Sequence, residues 1–217
     1  MRRIYVIKGS LLAGVIIAGI LIAYSTRSHD PAGVAGAPGA PARPYRGSKP
    51  PSDVRAPNFA LRSYRGQLVR MRDLRGKVVL ITFIDTACTD KCPIIASQVA
   101  AGLSLLPRSA RRQVVALALT VDPRVDSPRS VRHFLAQRHA TSLDFLLGTV
   151  KELRPIWKAF YVVAAPETGN SNVHSADARI FDRRGVWVST LRPGVDLTPS
   201  NVAHDLLMAL KRSRGPS

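Results

Sequence analysis

The chain has 217 residues, with 32 lysines and arginines against 14 aspartates and glutamates, so its net charge is +18. This length is sufficient for a membrane anchor followed by one domain with a sizeable core. The charge first suggests nucleic-acid binding, but the basic residues are scattered and no stacking aromatics lie between them, so we expect no nucleic-acid partner.

The first part of the chain has the pattern of a membrane anchor. Residues 1–8 form a basic N-terminus, and residues 9–27 contain an uncharged, largely apolar stretch from Gly9 to Thr26. This stretch is near the short end of the roughly 17–25 residues that a helix needs to span a bilayer. The basic residues in front of it predict a cytoplasmic N-terminus and an exported domain.

A cleaved signal peptide is the alternative interpretation of residues 9–27. Small residues in a cleavage-like pattern occur at Ala35 and Ala37, well beyond the apolar stretch, which favours a retained single-pass anchor. The segment lacks the amphipathic, arginine-rich character of an organelle transit peptide. The sequence therefore predicts a bacterial cell membrane, with the domain on the exported, periplasmic side, where disulfides can form.

Residues 28–55 have the composition of a linker. They are rich in proline, glycine and alanine, which predicts an extended connection between the anchor and the domain. The domain is predicted over residues 56–212, and residues 213–217 form a C-terminal tail.

The domain begins with a predicted hairpin, because residues 59–64 and 67–71 flank a turn at Gly66. The continuous apolar run over residues 78–84 predicts a buried strand. Four elements follow in the prediction: a helix from Pro93 to Leu106, a strand over 114–121, a helix from Ser127 to about His139, and a strand over 145–147.

A capping box at Thr149 and Glu152 predicts another helix, which extends to Phe160. Pro155 lies inside it, so we expect this helix either to kink there or to begin later. The last predicted elements are a hairpin over 178–181 and 186–191 and a helix over 200–212. This order of strands and helices predicts an α/β fold in which a mixed sheet is flanked by helices.

The chain contains two cysteines, Cys88 and Cys92, and both follow the predicted buried strand. Thiols this close can form a disulfide with each other or hold one soft metal ion. Since proline is favoured at the first helical position, Pro93 predicts that Cys92 is a non-helical cap residue near the positive end of the helix. An inert structural disulfide is the alternative, although so short a loop would stabilise the fold by only about 2 kcal/mol.

A third candidate ligand is His174, in a polar loop that precedes a predicted strand. Such loops often carry functional residues. Two thiolates and one imidazole suit Cu(I) and can hold Cu(II), whereas zinc normally takes a fourth ligand. The other histidines of the domain belong to predicted helices and are interpreted as incidental; they are His133, His139 and His204.

Short motifs spread over about residues 55–212 carry a family resemblance. They are Ala56-Pro57-Asn58-Phe59, Leu74-Arg75-Gly76-Lys77, Cys88-x3-Cys92-Pro93, Val121-Asp122-Pro123, Asp126-Ser127-Pro128, Gly148-Thr149, Val173-His174-Ser175 and Ile180-Phe181-Asp182-x2-Gly185. By these motifs the chain resembles the Sco (SenC-type) copper proteins of the respiratory chain.

The resemblance implies a thioredoxin-like fold and a role in building the binuclear copper centre of cytochrome oxidase. It also implies that copper is bound by Cys88, Cys92 and His174. Asp122 would be a candidate group that supports these ligands, and a role in a turn or a cap is the alternative.

The chain departs from the family pattern beside the implied ligands. Thr89 stands where the family usually has proline, and Ala87 stands where polar or aromatic residues are common. Asn172 and Val173 replace the usual acidic approach to the histidine. These departures concern the rigidity of the loop and its affinity for metal more than the fold.

Two functions compete for the cysteine pair. The first is a copper metallochaperone, whose partners would be the copper-binding subunit of cytochrome c oxidase or other periplasmic copper or thiol proteins. The second is a thiol–disulfide oxidoreductase that needs no metal and uses Cys88 and Cys92 as a redox-active disulfide, with Cys88 as the attacking sulfur.

Overall fold

The computed structural model describes residues 44–212. The predicted anchor over 9–27, the first part of the predicted linker and the tail over 213–217 lie outside these residues. Within residues 44–212, no helix is both long and apolar enough to cross a bilayer.

A seven-stranded mixed sheet forms the centre of the domain. Its strands are β1 (Ala60–Ser63), β2 (Leu68–Arg70), β3 (Val78–Ile84), β4 (Val114–Thr120), β5 (Asp144–Leu147), β6 (Ala178–Phe181) and β7 (Trp187–Leu191). They lie in the order β2-β1-β5-β4-β3-β6-β7. Strands β3, β4 and β5 are parallel, and the outer strands pair antiparallel. The predicted mixed sheet is confirmed.

Helices pack on both faces of the sheet. They are α1 (Lys91–Ser104), α2 (Arg108–Arg111), α3 (Pro128–Gln137), α4 (Val150–Ala159), α5 (Ala165–Thr168) and α6 (Pro199–Arg212), with a 3-10 helix at Met71–Leu74. Apolar side chains of α1, α3 and α6 form one core with the sheet, and those of α4 form another on the opposite face. Every residue of β3 is buried, as expected for a central strand covered on both sides.

Helix α1 begins earlier than the sequence indicates. It starts at Lys91 with Asp90 as the N-cap, so Cys92 lies in the first helical turn and the prediction of a non-helical cap is wrong. Pro93 fits at the third position because the N–H groups of the first turn have no partner within the helix. The Cys92 sulfur therefore still lies at the positive end of α1.

Helix α4 begins where the capping box places it. Thr149 and Glu152 bond reciprocally to each other's backbone N–H, and the helix continues through Pro155. Of the two alternatives that Pro155 suggested, a later start is therefore wrong, since the helix begins at Val150.

The first described residues are held against the domain. The backbone N–H groups of Arg46 and Gly47 donate to the buried carboxylate of Asp205, at 2.7 and 3.0 Å. Ser48 pairs with Thr190 of β7. Residues 46–48 of the predicted linker therefore lie against α6 and β7.

Gly102 allows α1 and α6 to pack closely. A Cβ at this position would lie 2.6 Å from the side chain of Val202. We expect Gly102→Ala to lower the free energy of unfolding by about 1–3 kcal/mol in spite of alanine's higher helix propensity, because the two helices must separate. Denaturant unfolding measures the change. The control Ala101→Ser, at an exposed position of α1, should cost about 0.5 kcal/mol, and an equal loss in both variants would contradict the steric explanation.

Candidate metal centre

The sheet topology brings the three predicted ligands to one edge. Because β3 and β4 are parallel, the loops that follow them leave the sheet on the same side. Strand β6 is antiparallel to β3, with Ala178 opposite Thr82, so the segment that precedes β6 reaches this edge as well. The segment after β3 carries Cys88 and Cys92, and the segment before β6 carries His174.

The ligand atoms of Cys88, Cys92 and His174 lie within 4.8 Å of one another. The Sγ atom of Cys92 is 3.2 Å from Nε2 of His174. Cys92 is fully buried, Cys88 is 3% exposed and His174 is half-buried. Neither cysteine forms a disulfide. The structure thus gathers two soft sulfurs and one imidazole nitrogen near the protein surface.

The imidazole of His174 is oriented by the backbone. Its Nδ1 lies 2.8 Å from the carbonyl oxygen of Ser175, a contact in which Nδ1–H donates to the oxygen. In the neutral ring this tautomer leaves the lone pair on Nε2, which faces the sulfurs. Such a hydrogen bond fixes the ring of a metal-ligating histidine and raises its basicity.

The three groups shift one another's pKa. The hydrogen bond from the Cys92 thiol lowers the pKa of Cys88 to about 3, against the opposing effect of burial. The same hydrogen bond, together with burial, raises the pKa of Cys92. Burial opposes the charged form of His174, but hydrogen bonds to the Cys88 sulfur and the Ser175 carbonyl raise the pKa of His174 overall. The lowered pKa favours the thiolate form of Cys88, which is the form that binds a metal or attacks a disulfide.

Two carboxylates hold the loop that carries Cys88. Asp126, in the loop after β4, accepts hydrogen bonds from the backbone and hydroxyl of Thr86, at 2.9 and 2.6 Å, and from the hydroxyl of Thr120 at 2.5 Å. Asp85 accepts from the N–H of Ala87 at 2.7 Å. The sequence assigns no role to either carboxylate; the available signal for Asp85 is its position directly after the apolar strand β3.

Asp122 lies near this loop, but its carboxylate is bound by Arg124. The Nε and Nη2 groups of Arg124 donate to it at 2.7 and 2.6 Å, and these bonds lower the pKa of Asp122. The backbone carbonyl of Asp122 accepts from the N–H of Asp126 at 3.1 Å. These contacts place Asp122 in a turn, which is one of the two roles that the sequence leaves open.

The remaining histidines of the domain lie apart from the three ligands. His204 belongs to α6, where its Nδ1 contacts the carboxylate of Asp205 at 2.9 Å. His133 is exposed on α3, and His139 follows that helix in the left-handed backbone region. These positions agree with their interpretation as incidental.

Known proteins with similar sequences and structures include Sco proteins. A SCO2-like protein of Rickettsia prowazekii is 24% identical over 136 residues, which cover 60% of this chain and 65% of the relative, slightly less than two thirds. The copper-bound structure of ScoI from Bradyrhizobium japonicum is 27% identical with a TM-score of 0.59, over 72% of this chain and 99% of ScoI. BsSco, a member of the Sco family of cytochrome c oxidase assembly proteins in which a disulfide switch has been identified, is 25% identical with a TM-score of 0.61, over 75% of this chain and 96% of BsSco.

These structural similarities confirm the thioredoxin-like α/β fold that the resemblance implies. The family model SCO1/SenC matches residues 48–211, which is well over half of the sequence. The match includes both cysteines, His174 and the loops that carry them. The chain belongs to the SCO1/SenC family.

Proposed function

We propose that this protein is a copper metallochaperone that delivers copper for the copper site of cytochrome c oxidase. The observation that carries the proposal is the group of three soft ligand atoms, from Cys88, Cys92 and His174, within 4.8 Å of one another. The copper-bound structure of Bradyrhizobium ScoI and the membership of BsSco in a family of oxidase assembly proteins support it.

The ligand set suits Cu(I) as the transported ion. Thiolates and imidazole are soft ligands, and two sulfurs with one nitrogen form a three-coordinate site, whereas structural zinc normally takes four ligands. Cys88 offers a thiolate at neutral pH, and Cys92 gives up its proton when copper binds. Because His174 is only half-buried, a partner's thiolate can approach from its side and take the ion by ligand exchange.

We propose that residues 9–27 hold the domain at a bacterial cell membrane, with the domain on the exported side. The support is the sequence pattern of basic residues followed by an apolar stretch. In this location the proposed partners are the copper-binding subunit of cytochrome c oxidase and other exported proteins with copper sites or thiols.

The reduced protein is expected to bind one Cu(I) per chain. The variant His174→Ala should bind it at least about tenfold more weakly, because the nitrogen ligand is lost. Competition with a chromophoric Cu(I) chelator under anaerobic, reducing conditions measures the affinity. The control His133→Ala removes an exposed imidazole of α3 and should leave the affinity unchanged. Unchanged affinity in His174→Ala would remove the histidine from the site, and no Cu(I) binding by the wild type would overturn the proposal.

The lowered pKa of Cys88 favours a second candidate function, a thiol–disulfide oxidoreductase. The Cys88 thiolate would attack one sulfur of a partner's disulfide, forming a mixed disulfide and releasing the partner's first thiolate. Cys92 would then lose its proton and attack Cys88, releasing the second thiolate and leaving a Cys88–Cys92 disulfide. Two electrons pass to the partner. Rapid exchange with an added disulfide by a protein that binds no Cu(I) would favour this function.

A further inference from the structure

A hydrogen bond links the loop of His174 to the loop of Cys88. The backbone N–H of Thr89 donates to the side-chain Oδ1 of Asn172 at 3.0 Å. Thr89 directly follows Cys88, and Asn172 precedes His174 by two residues. The bond therefore joins the two loops beside the ligands that they carry.

The His174 loop is also ordered by contacts of its own. In the His174 loop, the hydroxyl of Thr168 donates to the carbonyl oxygen of Val173 at 2.7 Å, and the N–H of Asn172 donates to Oδ1 of Asn170 at 2.8 Å. These bonds fix the backbone of Asn172 and leave its amide oxygen directed across to Thr89. Since they lie within one loop, they do not set the distance between His174 and the sulfurs.

We propose that Asn172 is a positioning residue that holds His174 against the two cysteines. The inference rests on the proposed function, because it concerns the same metal centre. With the contact to Thr89 in place, Nε2 of His174 stays at 3.2 Å from the Cys92 sulfur. Without it, Ser175 still holds the far side of the loop through its two bonds with Val163, at 2.9 Å each. The side of the loop that precedes His174 then lacks its link to the Cys88 loop, and the imidazole is held less closely against the sulfurs.

The location of this contact suits an ion that must be both held and released. Asn172 is exposed, so water can compete for its amide oxygen. A neutral hydrogen bond of this kind biases an equilibrium by about 3- to 10-fold. That bias is enough to favour the arrangement in which Asn172 is bonded to Thr89 and His174 lies against the sulfurs. It is also small enough for His174 to leave when a partner's ligand arrives.

The first test is the Cu(I) affinity of reduced Asn172 variants. Asn172→Ala should bind Cu(I) about 3- to 10-fold more weakly than the wild type. Asn172→Asp keeps an acceptor oxygen at the same position and should restore the affinity to within about twofold. The control Asn58→Ala, at an exposed position before β1, should have no effect.

The second test follows the contact without metal. Amide hydrogen exchange of Thr89 in the metal-free protein should be faster in Asn172→Ala and close to wild type in Asn172→Asp. This measurement separates the two proposals: a wild type that binds no Cu(I) overturns the proposed function, while the exchange rate of Thr89 still reports whether Asn172 holds the loop.

The third test asks whether Asn172 acts through His174. In a His174→Ala background, Asn172→Ala should cause no further loss of Cu(I) affinity, since no imidazole remains to be positioned. The inference is overturned if Asn172→Ala changes neither the affinity nor the exchange of Thr89. It is also overturned if the loss of affinity is as large without His174 as with it.

Discussion

Replacing Cys92 with serine is expected to weaken Cu(I) binding by more than about 100-fold. The Cys92 sulfur is fully buried and lies 3.2 Å from Nε2 of His174, so it would be one of the ligands of an ion bound at this centre. A serine hydroxyl is a hard donor that binds Cu(I) poorly, and no sulfur replaces the one that is lost. Chelator competition on the reduced variant measures the change, with the stoichiometry taken from titration to saturation.

The fold should survive this substitution. The Cys92 sulfur accepts a hydrogen bond from the N–H of Asp85 at 3.5 Å, and a serine oxygen can accept from the same donor. The matched control is Ala96→Ser, which places a hydroxyl at another fully buried position of α1. It should lose stability and keep its affinity for Cu(I). A Cys92→Ser protein that binds Cu(I) within about tenfold of the wild type would contradict a role for this sulfur as a ligand.

The central strands could be predicted because the pattern that produces them, a run of apolar residues, lies within one short segment of the sequence. Continuous apolar runs produce β3 and β4, and both strands lie where the sequence predicts them. The capping box of α4 is local as well, since all its contacts fall within one turn. The start of α1 was less predictable, because proline is compatible with several positions in a first helical turn.

The candidate metal centre was predictable in its ligands but not in the contacts that hold them. Cys88 and Cys92 are close in sequence, and the polar loop before a strand indicates His174 as the third candidate. By contrast, the bond between Thr89 and Asn172 joins residues 83 positions apart. Such a contact forms only when the sheet brings the two loops together, so no local sequence pattern predicts it.

The burial of Asp126 gives the domain a specific dependence on pH, although its hydrogen bonds from Thr86 and Thr120 oppose the effect. Burial raises the pKa of Asp126 to about 6, compared with about 3.9 for an aspartate in an unfolded chain. Between these two values the folded state keeps a proton that the unfolded state has released. The contribution of this group to stability is therefore greatest below about pH 4, and about 3 kcal/mol of it is lost as the pH rises through 6.

The variant Asp126→Asn should remove this part of the pH dependence. Its amide oxygen can accept from Thr86, and its amide nitrogen can donate to the hydroxyl of Thr120, so the contacts of the loop are kept. Denaturant unfolding from pH 4 to 7 should show the wild type losing about 3 kcal/mol relative to the variant. Asp126→Ala should give a parallel profile lowered by about 2–4 kcal/mol, because it leaves the donors of Thr86 and Thr120 without an acceptor. If Asp126→Asn loses stability across this range as steeply as the wild type, another group is responsible, and Asp126 contributes to the loop of Cys88 through its hydrogen bonds alone.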